Sequence, residues 1–330
     1  MKSLKTNVLL PCLVITGVFS NNVQASEFFN GHFSGEVGVN AGIMSVESNL
    51  NVENDQILDA NSIDQKGDSD ELNLLFPLGR VEYNFGREQL FAGVSQDDIA
   101  SGNFVMAFGY KNAIFKDTVL SLSYIPKLSA SEVWQDPYLT GSKRKVTDSE
   151  SEGVRVQVMP MSGFGLSVDF GYSNNKVKND EAGSQLAVED RKLLRRSGNS
   201  RYFNIGYQGQ LSASAFISPS VTYIEHHAEG DAMSFESYGA SLGLVHLYDN
   251  HIFSFNIDYS VSDYNALNPR FDKTQANNSY SAFIAYEYAS LFNIDYLSFV
   301  SFSAISQSDS NINFYDQTII ALSFGLKLKF

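Results

Sequence analysis

A single cysteine, a single tryptophan and seven prolines are all that 330 residues contain. One cysteine cannot close a disulfide within the chain. Because Cys12 lies in the extreme N-terminal stretch, thiolate metal sites and cysteine nucleophiles are excluded from whatever is exported. Positive charge is scarce: 23 Lys and Arg stand against 37 Asp and Glu, a formal net charge of −14. With no Lys/Arg-rich stripe, nucleic acid is excluded as a partner. Beyond residue 25 no run approaches the ~18 apolar residues that a membrane-spanning helix requires. The five histidines are scattered.

The N-terminus accounts for the isolated cysteine. Lys2 and Lys5 precede an apolar run from Val8 to Phe19, and Val23-Gln24-Ala25 precedes Ser26. This is the pattern of a cleaved export signal over residues 1–25, leaving 26–330 as one domain. Leu10-Pro11-Cys12 lacks the small residue that a lipoprotein signal needs before its cysteine. Removing Lys2 and Lys5 leaves 21 basic residues, a mature charge near −16.

What the sequence has in abundance is aromatic residues, 17 Tyr and 25 Phe, set in strict alternation. In Phe164-Gly165-Leu166-Ser167-Val168-Asp169-Phe170-Gly171-Tyr172 every even position is large and apolar, and every odd one is Gly, Ser or Asp. Period two is the signature of a strand with two unlike faces. In a soluble sandwich the second face would carry Lys and Glu, whereas here it carries Gly, Ser, Asn and Ala. Large residues outward and small polar ones inward fit a closed barrel in lipid, where every backbone group must be paired within the sheet.

Strands are predicted near 33–46, 76–86, 89–96, 103–111, 118–126, 153–160, 164–174, 201–208, 214–224, 235–247, 252–263, 279–289, 296–306 and 318–330. Short turns at 86–88, 160–163, 208–211 and 248–251 alternate with polar loops at 47–72, 127–152, 175–200, 225–234, 264–278 and 307–317. This asymmetry predicts an all-β, transmembrane antiparallel barrel of about 14 strands, with 12 as the alternative because Pro77 complicates 71–96. Both termini fall on the short-turn, periplasmic side. A terminal Phe330 behind Leu328, Leu326 and Phe324 has the pattern of the strand that addresses outer-membrane barrels to their assembly machinery and periplasmic chaperones.

Several stretches resemble an uncharacterised (domain of unknown function) family of outer-membrane proteins from marine Gram-negative bacteria. They are Pro77-Leu78-Gly79 with Tyr83-Asn84-Phe85-Gly86, Gly230-Asp231-Ala232-Met233-Ser234-Phe235 with Ser237-Tyr238-Gly239, Tyr286-Glu287-Tyr288-Ala289, and Ser308-Asp309-Ser310-Asn311 with Phe314-Tyr315-Asp316. The resemblance spans nearly the whole mature chain and implies the outer membrane as location. It implies no activity and no functional residue.

Alternation turns Glu36, Arg80, Glu82, Arg155, Asp169, Asp258, Glu287, Lys327 and Lys329 into the lumen, as pore-lining charges or as ion pairs that stiffen it. Lys327, Glu36 and Arg80 are expected close together at the periplasmic end. Ser184 to Arg196 is expected to form a short helix in a solvated loop. Its Arg191, Lys192, Arg195 and Arg196 are the densest basic cluster, a candidate contact for lipopolysaccharide phosphates unless the loop folds over the mouth as a lid. His226 and His227, beside Glu225, Glu229 and Asp231 and with Asp97-Asp98, are the one place for a hydrolytic or cation-binding pairing. Trp134 is expected to pin its loop, and the acidic stretch 47–72 lacks EF-hand spacing and reads as solvated. No cofactor is indicated, and the oligomeric state is unreadable. Three functions are compatible: a passive channel for small hydrophilic solutes, gated or narrowed by an inward-folded loop such as 127–152, a structural or interaction barrel with a blocked lumen, and a barrel hydrolase.

Overall fold

A computed structural model describes residues 32–53, 57–61, 63–94, 105–115, 117–127 and 131–330. The export signal and Asp97-Asp98 lie outside the described residues. The strands are β1 His32–Glu47, β2 Ser69–Phe85, β3 Glu88–Val94, β4 Met106–Phe115, β5 Thr118–Ile125, β6 Ser131–Trp134, β7 Val146–Pro160, β8 Gly165–Val177, β9 Gly198–Ser212, β10 Ala215–Ala228, β11 Phe235–Tyr248, β12 His251–Asn268, β13 Lys273–Tyr288, β14 Leu297–Ser310 and β15 Gln317–Lys329. One short helix, α1, covers Val188–Leu193.

Each wall strand pairs antiparallel with its neighbours, β5 pairs β7, and β1 closes on β15 from Glu36↔Lys329 to Glu47↔Thr318. The fold is therefore a closed antiparallel barrel of 14 strands. β6 stands outside that count, paired only to the outer end of β7. All fourteen predicted strands are present. The region around Pro77 is one continuous strand. β3 pairs β2 only from Arg80 to Phe85, so Pro77 sits where β2 has no described partner on that side.

Several strands run further than period two alone indicates. β2 begins at Ser69, β7 at Val146, and β12 and β13 reach Asn268 and Lys273, leaving only 269–272 of the loop expected at 264–278. Above the lipid level the alternation turns polar on both faces, so hydropathy no longer marks the strand although the ladder continues. β9 likewise runs to Ser212, which moves its turn from 208–211 to 213–214.

The outward face is apolar. Val39 and Ile43 on β1 are each 58% exposed, and Leu322, Phe324, Leu326 and Leu328 project from β15. Exposed aromatics collect near the short turns (Phe33, Tyr83, Phe115, Tyr207, Phe253, Phe330) and again higher up (Tyr124, Tyr172, Tyr238, Tyr259, Tyr280). Two aromatic girdles around an apolar band, on a wall with no free edge at its β1–β15 seam, make this a membrane-spanning barrel. Among the described residues no helix is long and apolar enough to cross a membrane.

The inward face is less uniformly polar than expected. Leu78 packs with Phe283, Val300 and Phe302, and Met44 and Val46 pack with Ile319. Glycines on the intervening strands, Gly38 opposite Leu78 and Gly325 opposite Val300, leave room for these side chains to meet across them.

Candidate functional site

The interior divides into three levels. At the periplasmic end lies a set of ion pairs. Lys327 Nζ is 2.6 Å from Glu287 and 3.4 Å from Glu36, and Lys329 Nζ is 3.3 Å from Glu287. Strand closure creates this set: Glu36 on β1 is the register partner of Lys329 on β15, Lys327 lies two residues along opposite Gly38 and Ser298, and Glu287 reaches them from β13 across β14. Arg80 is the register partner of Glu36, as expected, but its guanidinium bonds Glu82 and lies 4.1 Å over the Phe91 ring. Gln89 joins this group, donating to Glu82 at 3.0 Å and to Asn84 at 2.7 Å. Further along the wall, Arg155 Nε and Nη2 both reach Asp169 Oδ2, at 2.8 and 2.5 Å.

At mid-height the wall from β10 to β14 is lined by hydroxyls. Ser220 and Ser241 are 2.6 Å apart, Ser262 donates to Ser237 at 2.9 Å, and Ser279 to Ser308 at 3.0 Å. Asp258 sits among them, accepting from Asn256 Nδ2 at 2.8 Å and Ser281 Oγ at 2.9 Å. Ser241, Asp258, Ser260 and Ser281 stay partly exposed although they face inward. The interior here therefore holds space for water.

The third level is a lid. Buried Leu58 and Ile63 come from the acidic stretch, Tyr138 from the segment after β6, Ala182 and Leu194 from the segment around α1, Ala232 from the β10–β11 loop, and Ile312 and Phe314 from the β14–β15 loop. Together with Leu186, Met233 and Phe271 they form one hydrophobic core over the outer mouth. Polar ties bind the loops to each other. Tyr138 and Tyr315 hydroxyls are 2.5 Å apart, and Asn268 donates to Tyr315 at 2.7 Å. Asp136 accepts the amides of Gly183 and Ser184, and Arg144 donates to Asn49 O at 3.0 Å. Burial pushes both phenols above their ordinary value of 10, Tyr315 well above it.

This lid overturns the solvated reading of 47–72 and 175–200 and agrees with the inward-folded alternative for 127–152 and 175–200. Leu194 is completely buried, and α1 is shorter than the helix expected over 184–196. Arg195 donates to Asp180 O, and Arg196 ion-pairs with Asp180 Oδ1 at 2.7 Å, so both turn into the lid. Lys192 pairs with Glu189 at 3.0 Å on the exposed side of α1, and Arg191 is half-buried. Trp134 is buried beneath the Arg144 guanidinium, 4.1 Å above its ring. Such a contact holds the β6–β7 hairpin to the lid.

Among the described residues, which leave out Asp97-Asp98, His226 and His227 assemble no reactive centre. His226 contacts Ser200 Oγ at 2.8 Å through Nδ1 and packs at a tilt against the Phe235 ring, with no carboxylate orienting it among the described residues. His227 points outward and pairs with Glu225 at 3.2 Å. Among the described residues no three His, Cys, Asp or Glu side chains gather as a metal site. Phe324, Leu326 and Leu328 face lipid, and Phe330 N and O both bond Gly35 across the seam at 2.9 Å.

The model of a family described as a protein of unknown function, DUF2860, matches residues 32–329, so the chain belongs to that family. No curated protein matches it. Among solved structures the chain is similar to the CymD monoaromatic hydrocarbon channel, at 11% identity over 97% of this chain and 99% of that one, with a TM-score of 0.49. It is also similar to the outer membrane channel DcaP of Acinetobacter baumannii, at 10% identity over 91% and 97% of the two chains and a TM-score of 0.45. In-vitro folded OmpT, an outer membrane protein of Vibrio cholerae, is similar at 10% identity over 91% and 97%, with a TM-score of 0.44.

Proposed function

We propose that this member of the DUF2860 family is an outer-membrane channel for small hydrophilic solutes, closed at rest by its own outer loops. The observation that carries the reading is the hydroxyl-lined wall of β10–β14, partly exposed inside a barrel whose outer face is apolar. A barrel serving only as a scaffold gains nothing from keeping polar side chains beside unfilled space, whereas a solute pathway requires it. Lys327, Lys329, Glu36 and Glu287 line the periplasmic exit, with Arg80, Glu82, Arg155 and Asp169 along the adjoining wall. Because both signs are present and paired, the exit discriminates by width more than by charge. The apolar band, the two girdles and the sequence pattern of an export signal support the Gram-negative outer membrane as the location. There Lys192 on exposed α1 is the member of its cluster best disposed towards lipopolysaccharide phosphate.

A second reading is favoured by the lid itself: a core as continuous as this one suits a barrel whose mouth stays shut and whose loops present a surface. Single-channel recording separates the two. Purified protein in a planar bilayer is expected to show rare openings, and Phe314→Ala, which empties the centre of the lid, frequent ones. Lys327→Glu should shift the ion selectivity of those openings. Silence from all three, in protein whose heat-modifiable migration shows it folded, would sink the channel and favour the closed barrel.

A further inference from the structure

Of the acids that alternation turns into the lumen, Glu36, Glu82, Asp169 and Glu287 each have a Lys or Arg within ion-pair distance. Asp258 has none among the described residues. Its inward neighbours are all uncharged. Ser241 is opposite on β11 with Gly239 and Gly243 to either side, Ser281 is opposite on β13 with Ser279 and Phe283 to either side, and Asn256 and Ser260 flank it on β12. Both hydrogen bonds it accepts fall on Oδ2, from Asn256 and Ser281. Oδ1 accepts none from the protein and stays open to the lumen. Beside it Asn256, with no exposed surface, has a carbonyl oxygen that finds no donor.

From this arrangement we infer that Asp258 and Asn256 form a lumenal station for a monovalent cation, either an alkali ion or a primary ammonium group. When this carboxylate is ionised, two neutral donors hold Oδ2 and no fixed cation among the described residues answers its charge. A mobile cation drawn from the lumen does so, with Asp258 Oδ1 as first ligand and the Asn256 carbonyl and wall hydroxyls as further oxygen donors. Calcium or magnesium would need six or more oxygens or several carboxylates, and one carboxylate among serines is too weak a cage. A monovalent ion binds such a site loosely enough to leave it, which a pathway requires. The inference rests on the water-filled lumen of the channel reading and gives that pathway a preferred charge, which the periplasmic ion pairs do not.

Two measurements test it together. Reversal potentials in a KCl gradient are compared for wild-type protein, Asp258→Asn and Asp258→Ser, the last matching the chemistry of its own wall. The K+/Cl− permeability ratio is expected to fall roughly threefold or more in both variants. Separately, crystals soaked in thallium(I) are expected to show anomalous density against Asp258 Oδ1 in wild type and none in Asp258→Asn. Unchanged selectivity in conducting variants, or absent thallium density in wild type, overturns the station. Thallium at Asp258 in a protein that never conducts leaves the station standing and removes the channel reading instead.

Discussion

Arg155 and Asp169 show how much one register step decides. Both face inward by alternation, and they stand on β7 and β8, joined by the turn at 161–164. Gln157, not Arg155, is the register partner of Asp169, while Arg155 stands opposite Gly171. The missing side chain at Gly171 gives the guanidinium room to reach diagonally to the carboxylate. The charges were legible as lumenal, but their pairing was not, because it depends on a register that a four-residue turn fixes and hydropathy does not encode. Removing one partner of a largely buried pair leaves an uncompensated charge. Arg155→Met is expected to cost about 3–5 kcal/mol, and Arg155→Met with Asp169→Leu much less. Thermal unfolding followed by circular dichroism would check both. Equal losses in the single and double variants would show that the pair contributes shape rather than charge balance.

At the scale of elements, the wall was legible strand by strand and the lid only as an alternative for single loops, for one physical reason. Strands announce themselves by repetition over ten residues, whereas the lid draws its apolar side chains from separate loops, often one at a time: Tyr138, Leu194, Ala232, Phe314. Within its own polar loop each of these reads as a stray hydrophobe, and their meeting is set by the ring of strands beneath. A signal did exist in the stretches Gly230 to Phe235 and Phe314-Tyr315, which carry the family resemblance and supply lid residues. Gly230 is constrained by contact, since a Cβ there would stand 2.4 Å from Leu193 O and 2.5 Å from Arg195 N. Gly230→Ala is therefore expected to push the β10–β11 loop off the α1 segment and raise protease cleavage in 178–197. The phenols add a pH dependence. Folded Tyr138 and Tyr315 titrate above the ordinary phenol value of 10, so the lid's stability is fully present below pH 10. It is lost as pH rises past 10 towards the folded values, because an opened lid releases those protons and a closed one holds them. Channel openings should thus become more frequent above pH 10, and Tyr138→Phe should blunt the rise. A flat profile from pH 8 to 11 would mean the phenol contact does not hold the mouth shut.

For the whole molecule, the decisive contact is the one that turns a sheet into a barrel. Strand number and inside-outside sense followed from alternation and loop length, since each is a property of the repeated unit. Closure is a property of the two ends. β1 and β15 meet through a continuous ladder whose last members are the reciprocal bonds between Gly35 and Phe330, with the Phe33 and Phe330 rings stacked at 5.8 Å. In hydrocarbon an open seam exposes two rows of unpaired amides and carbonyls, each costing several kcal/mol, so a barrel half-closed is far worse than one unformed. The terminal residue thus acts where the final pairing must begin or fail. Deleting Phe330 removes two ladder bonds and one aromatic contact at the lipid boundary, and leaves the remaining register intact. The expected result is slower assembly with little change in the finished barrel. Folding into lipid vesicles, followed by heat-modifiable migration, should lag several-fold behind wild type and then reach the same end point. A truncated chain that folds as fast as the full one would place the start of closure elsewhere along the β1–β15 ladder, with the Glu36–Lys327 pair as the next contact to remove.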